Sequence, residues 1–255
     1  MTRRARRAPG ASSLSRSLAS VSVVPLLALQ PALASSASYE VSRTGIPAQA
    51  LLDADARAWS AASSIEWGKA PYLTRFRAVW NDDGLFLRFD ADDDAPWHTM
   101  TRRDEHIWEE EVVEIFVDLD RSGHDYYELE ISPANVVCDL RMIAPWPNKK
   151  GDIDWNLGGL ETRVHKVAAG VAREGWTATA FVPWKGLATL PSGMRTTVPP
   201  KPGDKWRFNV FRIKRPGGPK SPEKGAVFAA WSPTSVQSFH DASAFRDLVF
   251  AAPRP

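Results

Sequence analysis

The chain has 255 residues, with 44% apolar and 24% charged side chains, enough to bury a core of ordinary globular proportions. Its net charge of +2 includes five arginines in the first sixteen residues, so the remainder is slightly acidic and offers no nucleic-acid surface. Cys138 is the only cysteine, which excludes an internal disulfide and a thiolate metal cluster.

Arg3, Arg4, Arg6, Arg7 and Arg16 precede an Ala/Val/Leu run from Leu18 to Leu33 that closes on Ala32, Leu33, Ala34. A basic start, an apolar middle and a small-x-small end predict a signal peptide over residues 1–34 and a secreted or periplasmic protein. The run is interrupted by Ser20, Ser22, Pro25, Gln30 and Pro31 and is shorter than the ~20 residues a membrane helix needs, so no span is expected. Residues 35–255 then read as one domain.

Residues 35–71 are irregular and polar, and read as a short strand or covering segment that touches the core through Leu51, Leu52 and Trp59. Thr74 to Trp80 alternates with period two, Asn81 to Gly84 supplies a turn, and Leu85 to Phe89 resumes the alternation, which predicts a hairpin. Asp90, Asp92, Asp93 and Asp94 follow, and such a run reads as a solvated acidic loop.

The most informative stretch is DEHIWEEEVVEIFVDLDRSGHDYYELEISP, residues 104–133. Val112 to Val117 is a strand, Asp118 to Gly123 carries turn chemistry, and Tyr126 to Ile131 is a second strand stopped by Pro133. Glu114 shares a face with Val112 and Phe116, so a carboxylate stands amid apolar neighbours and must be paired, solvated or used. Arg141 and Arg212 are its candidate partners. Asp118, Asp120, Ser122 and Asp125 place oxygens with part of the spacing of a calcium loop, although the late glutamate of such a loop is missing.

Further strands are expected at Val136–Met142, Glu161–Val167, Trp176–Val182, Trp206–Ile213, Ala226–Trp231 and Phe245–Phe250, with a long Pro/Trp/Asn/Lys loop at residues 144–159. Nine or ten short strands between turn residues, with no long segment of helical period, predict an all-β fold. The expected architecture is a β-sandwich, jelly-roll or immunoglobulin-like, of about ten antiparallel strands.

The fragments WNDDGLFLRFD, IWEEEVVEIFVDLD leading to YYELEISP, the GW…VPW segment from Gly175, FNVFRI and WSPT…FHDASAF occur in that order. Together they resemble the family 9 carbohydrate-binding modules and their relatives in the DOMON-like superfamily, over residues 46–250. The resemblance implies a β-sandwich that binds a glycan, in the best understood type by clamping its terminal residue between two aromatic rings. One clamp residue matches Trp108 and the other Phe239, where that type has Trp. A carboxylate that accepts sugar hydroxyls matches Glu114, and an Arg and an Asn of that type's site correspond to Glu128 and Glu130. The family is also known to hold calcium, which adds Ca²⁺ to the expectation for Asp118, Asp120, Ser122 and Asp125.

Sugar rings offer apolar C–H faces and a rim of hydroxyls, so a site needs flat aromatics beside fixed polar groups. The 11 Trp residues suit such a surface. Trp108 stands first, Trp146 in the long loop supports it, and Arg141, Asn209 and Arg212 complete the candidate ligand-binding set. Trp97 and Trp155 have weaker claims, whereas Trp59, Trp80, Trp176 and Trp206 read as core. Two other classes compete: a hydrolase using paired carboxylates among Glu109, Glu110, Glu111 and Glu114, and a haem-binding domain using His98, Met100 or Met142. No nucleophile elbow, zinc helix, phosphate loop or dinucleotide fingerprint occurs. The sequence therefore reads as a non-catalytic carbohydrate-binding protein serving carbohydrate catabolism, with a glycoside hydrolase as the expected partner and a cleft at one end of the sandwich as its site.

Overall fold

The computed structural model describes residues 38–167, 174–190, 192–193 and 195–252; the expected signal peptide lies outside them. Thirteen strands form in chain order: β1 (Tyr39–Arg43), β2 (Ile65–Trp67), β3 (Thr74–Trp80), β4 (Gly84–Asp92), β5 (Val112–Asp118), β6 (Tyr126–Ile131) and β7 (Val137–Ala144). They continue with β8 (Lys150–Asp152), β9 (Glu161–Val167), β10 (Gly175–Pro183), β11 (Lys205–Lys214), β12 (Val227–Ala230) and β13 (Arg246–Phe250). One short helix, α1 (Ala48–Leu52), and three single 3₁₀ turns are the only other regular elements among the described residues.

Two layers result. The first runs β8-β7-β6-β5-β11-β13 and the second β3-β4-β10-β9, with β1 between them. β1 pairs in parallel with β13 through Tyr39–Val41 and in parallel with β3 through Ser42 and Arg43, so one strand crosses from layer to layer. These two parallel pairings correct the expectation of purely antiparallel strands. A hairpin can join only antiparallel neighbours, but α1 and β2 intervene between β1 and β3 and supply the longer connection that parallel pairing requires. β1, β2 and β8 bring the count above ten: residues 35–71, expected to hold a short strand or covering segment, hold two strands, and β8 is a three-residue Lys-Gly-Asp strand in the expected long loop.

The main core lies between the layers. From the first layer it takes Val113, Ile115, Val117, Leu129, Phe208 and Val210; from the second, Phe76, Ala78, Leu87, Phe89, Trp176 and Ala178. Tyr39 fastens β1 across this core: its hydroxyl accepts from the Ala78 amide at 2.7 Å and donates to the Ser63 carbonyl at 2.7 Å. Trp80, Trp184, Trp206 and Phe250 meet edge to face, with ring centres 4.6 to 6.5 Å apart. Trp59, Trp80, Trp176 and Trp206 are buried as sequence reading expected, and Trp67 and Trp184 join them, so most of the tryptophan richness is structural.

The acidic run is a second correction: Asp90 and Asp92 belong to the end of β4, Asp93 is buried, and only Asp94 is exposed. Asp90 pairs with Arg77 and Arg88, Asp92 with Arg75, and Asp93 with Arg212 and Lys214 inside the protein. Period two sends Arg212 inward, where it also lies 4.9 Å over the Trp176 ring. Arg141 likewise turns away from Glu114, to Asp152 and the face of Trp155. The two arginines expected beside Glu114 therefore occupy the opposite face of their strands.

Candidate functional site

β5 is buried along its whole length, Val112–Asp118, because both of its faces are covered. Val113, Ile115 and Val117 enter the main core, while Phe116 packs on the outer face with Tyr126, Met142, Phe211 and Phe245. Beside that patch, Ile107, Val112, Val136, Cys138 and Ile213 form another apolar cluster, against which Trp108 and Phe239 rest. Between these patches opens a cavity of about 740 Å³, lined among others by Trp108, Glu114, Glu128, Glu130, Phe239 and His240. The cleft thus lies on the outer face of the first layer, not at the end of the sandwich as sequence reading expected.

Each aromatic wall has its own support. The Trp108 ring stacks on His106 at 4.3 Å and 21°, and the 3₁₀ turn Ile107–Glu109 sets it over the cavity edge. Phe239 stacks on Phe211 at 4.3 Å and 19°, which ties a loop residue to β11. Phe228 of β12, 55% exposed, meets Phe239 edge to face at 6.2 Å and extends the apolar rim.

The floor is acidic. Glu114 and Glu130 stand directly opposite one another on β5 and β6, and Glu128 lies two residues further along the same face. Their exposures are 2%, 1% and 5%, and one oxygen from each approaches the others within 4.8 Å. Burial raises all three carboxyls: Glu128 to about 7, and Glu114 and Glu130 well above the ordinary range, with the neighbouring glutamates adding to the rise in both. Lys149, which also lines the cavity, opposes that shift. His240 shares a 2.9 Å hydrogen bond with the Tyr126 hydroxyl, and burial followed by Lys149 lowers its pKa to about 3, so it is neutral.

Of the residues singled out from sequence, Trp108, Phe239, Glu114, Glu128 and Glu130 come together at this cavity. Arg141, Trp146, Asn209 and Arg212 do not line it. Asn209 donates to the Ser232 carbonyl at 2.8 Å and accepts from the Ser232 amide, joining β11 to the next segment. Trp146 is 49% exposed on the adjacent loop, whose backbone donates to the His240 carbonyl. Trp97 donates to the Arg215 carbonyl, and Trp155 packs on Tyr127. Sequence reading missed His240, Lys149 and Phe228. His240 had a signal in its place next to Phe239; the other two sit on loop or edge segments whose approach only folding decides.

The expected calcium turn is closed by its own groups. The Gly123 amide donates to Asp118, Ser122 to Asp120, and the His124 and Asp125 amides to the Ser122 hydroxyl. Asp118 and Asp120 lie close enough to hydrogen-bond one another, and Ser122 and Asp125 follow them in the same turn. Among the described residues, the only acidic trio with oxygens within 4.8 Å of one another is Glu114, Glu128 and Glu130. For the haem alternative, Met142 is buried in the outer apolar patch while His98 is exposed.

A two-layer β-fold carrying an aromatic and carboxylate-lined cavity can be set beside known proteins. The sequence profile described as "Carbohydrate family 9 binding domain-like" matches residues 53–250. The chain belongs to this carbohydrate family 9 binding domain-like family. Its members are carbohydrate-binding modules, which supports a binding role over a catalytic one. A relative from Arthroderma benhamiae, described as an extracellular protein, is 27% identical over 183 residues, covering 69% of this chain and 78% of the relative. The fold is shared with a Bacteroides uniformis protein thought to bind carbohydrate (TM-score 0.62, 16% identity, 84% of this chain and 98% of that one). It is also shared with a family 9 module from Caldicellulosiruptor kristjanssonii in complex with cellotriose (TM-score 0.59, 13% identity, 86% and 95%). The glucose complex of a family 9 module from that organism gives 0.57, at 13% identity over 86% and 97%. No helix among the described residues is long and apolar enough to cross a membrane.

Proposed function

We propose that this protein is a non-catalytic, exported carbohydrate-binding protein that takes the end of a glycan into the cavity between Trp108 and Phe239. The observation that carries the reading is that these two aromatics, far apart in sequence, line one cavity with Glu114 on its floor. Ring stacking would hold the C–H face of a terminal sugar, and the carboxyl groups would hydrogen-bond its hydroxyls. The cavity volume, about 740 Å³, suits one or two sugar rings rather than a long chain laid flat. Export agrees with the basic and apolar N-terminal sequence and with the extracellular description of the Arthroderma relative. Such a binding protein would serve carbohydrate catabolism beside a glycoside hydrolase.

The test is a glycan array followed by titration calorimetry, with glucose and cellotriose among the ligands because modules of the same family hold them. A sugar that binds wild type and is lost in Trp108→Ala supports the proposal. Unchanged affinity in that variant would remove Trp108 from the site, and an array without any bound glycan would sink the reading. Release of reducing sugar that disappears in Glu114→Gln would turn the assignment to an enzyme.

A further inference from the structure

We propose that Glu114, Glu128 and Glu130 form a divalent cation site on the cavity floor, with Ca²⁺ as the fitting ion and its remaining coordination positions open to oxygens of the bound ligand. Three observations carry it. The oxygens that the three residues offer lie within 4.8 Å of one another, so all three fit on one Ca²⁺ sphere of roughly 2.3–2.6 Å radius. Glu114 Oε1, Glu128 Oε2 and Glu130 Oε2 are wholly buried yet have no hydrogen-bond partner. All three residues face the cavity, and its described lining holds one lysine, Lys149, and no arginine.

The pairing makes this arrangement costly unless something occupies it. Glu114 and Glu130 are cross-strand partners, and like charges placed directly opposite each other destabilise a sheet. Burial adds the desolvation of each carboxylate, which a protein tolerates only with a partner, a proton or a metal. The guanidinium groups that could have neutralised the trio, Arg141 and Arg212, are engaged on the opposite face. A cation bound among all three cancels both costs at once.

Three glutamates give a hard, all-oxygen donor set, which favours Ca²⁺ or Mg²⁺ over the metals that prefer nitrogen or sulfur. Mg²⁺ dehydrates reluctantly and demands an octahedron, whereas Ca²⁺ accepts six to eight oxygens in loose geometry, which a trio of side chains on two neighbouring strands can begin to supply. Vicinal hydroxyls or a carboxylate of a sugar would complete the shell from the cavity side. This last part rests on the proposed carbohydrate binding; the cation site does not.

The experiment uses the full chain, stripped with chelator and dialysed, and titrates CaCl₂ by calorimetry without sugar. One-to-one binding, accompanied by a rise in melting temperature, is expected, with at least tenfold weaker binding in Glu130→Gln and in Glu114→Gln. Circular dichroism checks that each variant is folded; because each removes one of the crowded charges, neither should melt lower than stripped wild type. No Ca²⁺ binding by wild type would overturn the proposal and leave the trio as carboxylic acids sharing protons. Binding that survives both variants but is lost in Asp120→Asn would place the ion at the turn and overturn it equally. Repeating the sugar titration with and without chelator separates the two readings. Ca²⁺ bound without any sugar supports the cation site and sinks the glycan proposal. Sugar bound equally in chelator, with no Ca²⁺ bound, does the reverse.

Discussion

At the scale of single residues, the two aromatic walls differ in what they lean on. Trp108 stacks on the exposed His106, whereas Phe239 stacks on the buried Phe211. Removing Trp108 should cost binding and, because the ring also rests against the Ile107–Ile213 cluster, some stability. Trp108→Ala is expected to weaken glycan affinity about tenfold, from the loss of roughly 1.5 kcal/mol of stacking, and to lower the unfolding midpoint less than Phe239→Ala does. Calorimetry and urea unfolding on the same preparation check both halves. Phe239→Ala should weaken binding similarly and also lower the urea midpoint, because it uncovers Phe211.

The buried charges behind the core make a different residue-scale prediction. Asp93 accepts from Arg212 and from Lys214, the latter at 2.6 Å, and Lys214 also reaches Glu111 at 2.8 Å. Burial pushes the Asp93 carboxyl up, but Arg212 and Lys214 more than reverse that and hold it below its ordinary range. A carboxyl depressed in the folded state contributes stability above its unfolded pKa of about 3.9 and loses that contribution as pH falls through the folded value. Asp93→Asn should destabilise by about 3–5 kcal/mol at pH 7, since it leaves two buried cations short of a partner. The difference from wild type should shrink as pH falls well below 4. Urea denaturation at pH 7 and pH 3 reads this, and an equal difference at both would show that Asp93 contributes no charge.

At the scale of elements, burial pattern separates strands that look alike in sequence. β3 alternates buried and half-buried positions, and its partly exposed Arg75 and Arg77 pair with acids across its outer face. β5 has no such alternation because its outer face floors the cavity. The hairpins β3–β4 and β5–β6 were legible because their turn residues, Asn81 to Gly84 and Asp118 to Gly123, stand between runs of β-branched and aromatic side chains. Gly84 has a further duty there: a Cβ at this position would run into the Val182 carbonyl of β10. Gly84→Ala should cost about 1–3 kcal/mol, through displacement of the β4–β10 ladder at its Gly84–Pro183 end. A thermal melt unchanged from wild type would show that the ladder end yields freely.

For the whole molecule, β1 is the decisive element. It belongs to both layers, and its Tyr39 reaches Phe76 of the second layer and Phe208 of the first, with ring centres 5.4 and 5.8 Å apart. Tyr39→Ala should therefore destabilise both layers together, by about 3–5 kcal/mol, with a single unfolding transition retained. Two separated transitions in calorimetry would mean that the layers fold independently and that β1 does not couple them.

Sequence alone determined the all-β class, the two main hairpins, the family resemblance and the face on which Glu114 lies, because each follows from local period, turn chemistry or the order of fragments. It placed Trp108, Phe239 and three glutamates in one candidate set through the resemblance, yet it also placed Arg141 and Arg212 there. Period two fixes which residues share a face within one strand, but which face of a neighbouring strand lies beside Glu114 depends on register, and the register sets Arg212 opposite Val113 and Arg141 opposite Tyr127. Only the tertiary structure decided that β1 crosses between layers, that Trp67 and Trp184 join the four tryptophans already read as core, and that Glu114, Glu128 and Glu130 meet on a buried floor. β1 meets β3 and β13 across tens to some two hundred residues, and the trio, though local to the β5–β6 hairpin, is buried only because loop residues such as Phe239 and His240 close over it.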